Sequence, residues 1–139
     1  PLASIRQVAV VASTHPLASG DAGRPLDVMD LADHLQIVLS DPSDISAGRD
    51  FGVVSPQTCR VNTQDTKHNL IIGGAGWGRL PLWLVERNLK QGTLVPVEIP
   101  QTRSVALGGY VLVAREDRWS DPVLLALRKF LSDRARSLA

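Results

Sequence analysis

One cysteine, Cys59, stands alone in 139 residues. An intramolecular disulfide is therefore impossible, and a Cys/His zinc set lacks its ligands; Cys59 reads as a small packed residue. Aromatic side chains make up only 4% of the chain, which leaves no evident platform for stacking bases. Neither sign of charge dominates, since 15 Lys and Arg face 14 Asp and Glu for a net charge of +1. That balance gives no electrostatic reason to expect nucleic acid or an anionic membrane as a direct partner. Apolar runs such as "VAVVA" and "LPLWLV" are far too short to span a bilayer. No charged segment followed by an apolar one marks export at the start, so cytoplasm is the expected location.

What the chain does have is an ordinary globular make-up, 44% hydrophobic and 21% charged, at one domain's length and with enough surface to bury a core. Strand and helix signals alternate. "IRQVAVVA" (5–12) and "LQIVLS" (35–40) read as strands buried on both faces. Between them "DVMDLADH" (27–34) reads as a short helix. "DPSDISAGRD" (41–50) is loop by composition, and "FGVVS" and "TCRV" are short extended pieces. Residues 63–72 read as a helix capped by Thr63 or Asn62 and ended by Gly73 and Gly74. "WGRL" is extended, and Pro81 opens a helix with Leu84, Val85 and Leu89 inside and Gly92 as its stop. "LVPVEI" (94–99) and "YVLVA" (110–114) are further strands, with Pro96 placing the first at an edge or bulge. Asp121 and Pro122 start a last helix whose Val123, Leu124, Leu127, Phe130 and Leu131 make one apolar stripe. The alternation predicts an α/β domain with a mainly parallel sheet flanked by helices.

The glycine stretch "IIGGAGWGRLP" (71–81) raises the question of a phosphate cradle. A dinucleotide fingerprint needs its third glycine where Arg79 stands, directly between a strand and a helix. A P-loop needs Gly-Lys-Ser/Thr where this chain has Gly-Arg-Leu. Both readings fail, leaving glycines that end a helix in a tight space or expose backbone N–H groups to a cleft. His15 precedes Pro16 in a turn, His34 ends the 27–34 segment, and His68 lies beside Lys67 on a solvated helix face; no pair has metal-like spacing. No serine lies in a nucleophile elbow, and Asp41 and Asp44 read as turn residues. No catalytic set, metal site or cofactor is expected.

Four pieces in order resemble the effector-binding domain of LysR-type transcriptional regulators. They are "VAVVASTHPLAS", "MDLADHLQIVLSD", "HNLIIGGAGWGRLPLWLVERNLKQGTLVPVEI" and "GYVLVAREDRWSDPVLLALRKFL", covering about residues 5–132. The resemblance implies a periplasmic-binding-protein type 2-like lobe, truncated. Residues 5–115 would be the second lobe, and 116–139 the return segment and C-terminal helix of the first. The rest of the first lobe and the helix-turn-helix that contacts DNA are absent, so the chain reads as a fragment of a longer regulator. The stripe on the last helix is expected to pack on its own lobe or on another copy.

The implied function is sensing without catalysis. A small-molecule effector would bind between two lobes and act on the DNA-binding domains through a dimer or tetramer. Carried onto this sequence, the cleft would be lined by Ser13, Thr14, Ser40, Asp41, Gly76 and Trp77, with amides at 74–77 and Arg49 holding an effector carboxylate. Trp83 is the expected oligomer contact. Two alternatives stay open: a periplasmic solute-binding domain of similar fold, and a small α/β enzyme using a nucleotide.

Overall fold

The computed structural model describes residues 1–20, 24–40, 52–105 and 107–136. The loop expected at 41–50, with Asp41, Asp44 and Arg49, lies outside them. The described elements run β1 (Ala3–Ala12), β2 (Gln36–Leu39), β3 (Thr58–Val61), α1 (Gln64–Ile72), β4 (Gly78–Pro81), α2 (Leu82–Gln91), β5 (Leu94–Pro96), β6 (Leu107–Tyr110) and α3 (Pro122–Ala135). They form two compact units, Gln7–Ala106 and Pro1–Arg6 with Leu107–Ala139.

In the larger unit β1 lies between β4 and β5, antiparallel to both, with Val10 level with Gly78 and Gln7 level with Pro81. β2 and β3 pair in parallel, and Gln36 forms a parallel bridge to Trp77 at the start of β4. The sheet is thus mixed where a mainly parallel one was expected. Continuous apolar runs report burial on both faces and carry no information on strand direction, so the sequence pattern could not distinguish these arrangements. Pro96 sits in β5 at the end of the β4-β1-β5 path, where a missing N–H is tolerated.

Two apolar clusters hold this unit together. Val10, Ile37, Ile71, Leu80, Val85 and Leu94 fill one; Ala9, Val11, Leu26, Leu31, Trp77 and Ile99 fill the other. Each such large side chain contributes about 1.5–3 kcal/mol when fully buried. Val85 is the buried anchor of α2, and Gly92 ends that helix in the left-handed conformation at φ 75°. Thr63 caps α1 by accepting the Thr66 amide.

Residues 28–33 are successive turns where a helix over 27–34 was expected. Asp27 and Asp30 exchange side-chain-to-backbone bonds at 2.9 Å each, and short-range backbone bonds such as Ala32 to Met29 follow. That exchange has the form of a capping box, yet the segment continues as turns and does not propagate as a helix.

In the smaller unit residues 3–6 of β1 pair antiparallel with β6. That strand covers Leu107–Tyr110, ahead of the expected 110–114, because Gly108 and Gly109 take the register opposite Ile5 and Ser4. α3 begins as the sequence predicts, with Asp121 accepting the Val123 amide and Pro122 first. On its stripe Val123 is 74% exposed and Phe130 54%, while Leu124 and Leu131 are half-buried.

Candidate functional site

Strand direction decides where a ligand site can form. β2, β3 and the Trp77–Pro81 segment run together, so their carboxyl ends lie at one end of the sheet, at Ser40, Asn62 and Pro81. β1 runs the other way, and its own carboxyl end, at Ser13, lies at the opposite end. From Ser13 to Gln7, the residue level with Pro81, is six strand steps or roughly 20 Å. A single small molecule cannot bridge that span.

The residues expected to line one cleft therefore divide. Ser13 and Thr14 stay together with the glycine turn: both are exposed, Ser13 N–H donates to Thr93 O at 3.0 Å, and a Cβ on Gly74 would meet the Thr14 hydroxyl at 3.8 Å. Ser40 sits at the other end, half-buried, its N–H donating to Val61 O at 2.7 Å. Asp41 and Arg49 lie outside the described residues. Trp83 is 59% exposed on α2.

Gly76 and Trp77 serve the interior. Trp77 is fully buried, and its indole Nε1 donates to Ser55 Oγ at 2.8 Å. A Cβ on Gly76 would come within 2.2 Å of Leu35 O, so only glycine lets the two backbones meet there. Three of the four amides expected to hold a carboxylate already donate: Gly74 to Ile71 O, Ala75 to Leu70 O and Trp77 to Leu35 O. The glycine turn closes α1 onto β2.

A buried polar support comes with it. Gln36 Nε2 donates to Gly52 O at 2.9 Å, and its Oε1 accepts the amides of Val54 and Ser55 at 2.8 and 3.1 Å. Ser55 in turn receives the Trp77 indole. A lone glutamine opening an apolar strand was the sequence signal for this network.

Arg79 is the functional candidate that sequence reasoning missed. It lies on β4, where a polar residue reads as the wet side of a strand. The structure half-buries it at the Ser40 end of the sheet: Nη1 donates to Gln7 O at 3.2 Å, and Nη2 donates to Thr102 Oγ1. Its Nε is buried without a partner. Loss of hydration lowers its pKa from the usual arginine value. Lys67 on α1 is also buried; burial first, and Arg79 second, pull its pKa down to about 8. Among the described residues no carboxylate pairs with either cation.

At the far end His15 caps a short 3-10 turn by accepting the Leu17 amide on Nδ1 at 3.1 Å, and the His34 ring stands 5.1 Å away edge-on. His68, expected on a solvated face, is half-buried and bonds Asn88 Oδ1 at 2.9 Å through Nε2. Among the described residues no three His, Cys, Asp or Glu gather to hold a metal ion, and no helix is long and apolar enough to cross a membrane.

Solved structures place this architecture. The chain resembles the regulatory domain of MetR, a LysR family regulator from N. meningitidis, at TM-score 0.71 and 20% identity, covering 99% of this chain and 64% of that one. It resembles the effector-binding domain of QuiR in complex with shikimate at TM-score 0.62 and 21% identity, covering 99% and 64%. The Synechocystis CcmR regulatory domain in complex with 2-PG follows at TM-score 0.62 and 14% identity, covering 97% and 65%. The chain thus spans just under two thirds of these domains, and its fold is that of a periplasmic-binding-protein type 2-like lobe. No curated protein matches it. The LysR substrate binding domain model matches residues 1–136, and the chain belongs to that family.

Proposed function

We propose that this chain is the sensing part of a LysR-type transcriptional regulator, without catalysis of its own. The family match over residues 1–136 carries the reading. Gln7–Ala106 would be the second lobe of the effector-binding domain, and the remaining residues, with α3, part of the first. A small molecule would be taken up where β2, β3 and β4 end, since ligands of open α/β sheets bind beyond the carboxyl ends of the strands. Ser40 and the half-buried Arg79 stand at that end, with Asp41 and Arg49 in the chain that follows Ser40. Ser13, Thr14, Gly76 and Trp77 belong to the opposite end and support the lobe from there. QuiR and CcmR were solved with shikimate and 2-PG, which suits uptake of a small organic molecule.

Binding would favour one lobe arrangement, and the shift would reach DNA through a dimer or tetramer and a helix-turn-helix outside this chain. The exposed Trp83 suits the oligomer contact, and the open stripe of α3 suits the remainder of the first lobe. A cytoplasmic location follows from the same reading. A thermal-shift screen of small organic acids, sugars and nucleotides tests it: a compound present at 100 times its Kd stabilises by about 2.7 kcal/mol. Stabilisation by an organic metabolite supports sensing, whereas stabilisation by nucleotides alone supports the enzyme alternative.

A further inference from the structure

Among the described residues, neither Arg79 nor the Lys67 ammonium near it is paired with a carboxylate. Arg79 is held rigidly, since Gln7 O and Thr102 Oγ1 each take one N–H of its fork. Thr102 is itself fixed by donating to Ile99 O at 2.9 Å. A guanidinium has five N–H donors in a planar fork, so two contacts leave it under-used, and its Nε is buried with nothing to bond. Lys67 lies on the other face of β4: its Cε is 3.1 Å from where a Gly78 Cβ would stand, and successive strand residues point to opposite faces. Two partly dehydrated positive charges thus flank one short strand. Stripping water from a cation without pairing it is costly, and a bound anion removes that cost.

We infer that Arg79 is an anion subsite that receives a carboxylate, or an equivalent oxyanion, of the molecule this lobe takes up. This rests on the reading that a ligand binds at the Ser40 end, and it narrows that ligand to organic anions. Arg79 suits the task because its fork is pre-oriented by Gln7 and Thr102, so little rotamer freedom is lost on pairing. Lys67 contributes field from behind the strand without touching the ligand.

Sodium acetate, then sodium citrate, exchanged for sodium chloride at constant ionic strength, tests this by NMR on the intact chain. The expected result is a saturable shift of the Arg79 Nε–H signal together with the Gln7 and Thr102 amides. Arg79→Gln weakens carboxylate binding by at least about tenfold, and Arg79→Lys, which keeps charge without the fork, falls between. The wild-type titration stands alone should Arg79→Gln fail to fold. No saturable shift at Arg79 up to about 0.1 M carboxylate, or shifts unchanged in Arg79→Gln, overturns the inference. An uncharged compound that perturbs the Ser40 amide while acetate and citrate leave Arg79 untouched overturns the anion assignment and leaves the sensing function standing.

Discussion

Replacing Gly76 by alanine should destabilise this protein more than any other glycine-to-alanine change among the described residues. The new Cβ would stand 2.2 Å from Leu35 O and 3.0 Å from Leu35 C, and both are backbone atoms. No rotamer change can relieve that contact, so the strands must part. Separation strains the Trp77 N–H bond to Leu35 O and the Ile37 N–H bond to Trp77 O, at 3.0 and 2.8 Å. Overpacking costs about 1–3 kcal/mol and each weakened backbone bond about 1 kcal/mol, together about 3–5 kcal/mol. Against a typical stability of about 5–15 kcal/mol this is a large fraction. Gly92→Ala is the control. Its φ of 75° strains a side chain but nothing lies within 4 Å, so its cost should stay near about 1 kcal/mol. Urea unfolding of the three proteins gives the comparison. If Gly76→Ala loses no more than Gly92→Ala, the close approach of the glycine turn to β2 is not a feature of the folded protein.

Other perturbations follow from the same structure. Lys67→Met keeps the buried stem and removes an uncompensated ammonium; at pH 7 it should raise stability by about 1–3 kcal/mol. Because the folded pKa near 8 lies below the unfolded value of 10.5, the wild type should gain stability from about pH 8 to 10.5 through this group, and a pH series of melts should show the variant lacking that gain. Burial first, and His34 second, lower the His15 pKa below 6.5; the folded state therefore binds fewer protons, and its contribution is present above pH 6.5 and lost on acidification. His15→Asn, which keeps an acceptor for the Leu17 amide, should flatten that acid limb in thermal melts. Trp83→Arg, on an exposed site, should change the unfolding free energy by less than about 0.5 kcal/mol while lowering self-association of the full regulator in sedimentation.

Much of this was legible in the residues. Asp121–Pro122 and Thr63 announced α3 and α1 because capping is local chemistry, and Gly92 announced the end of α2 for the same reason. Residues 27–34 misled, since their apolar spacing suits a helix while the segment folds as turns that its local pattern does not report. Strand direction was not legible, because alternation and apolar runs look the same either way. That one gap scattered the candidate site: with every strand parallel, Ser13 and Ser40 would share an end, whereas β1 runs against β2 and separates them. Trp77 followed the same course. A glycine-flanked tryptophan reads as a cleft wall until Gln36 and Ser55, distant in sequence, are seen to bury it. Arg79 was overlooked because its significance lies in what it lacks, a partner for Nε, which no sequence pattern reports.

The most direct test of the account is a map of where a stabilising small molecule touches the backbone. Amide shift perturbations for the first compound that raises the Tm should centre on Gln7, Ser40, Thr63, Arg79 and Leu82, the end of the sheet where β2, β3 and β4 finish. Perturbations centred instead on Ser13, Thr14 and residues 74–77 would place the ligand at the wrong end and contradict it.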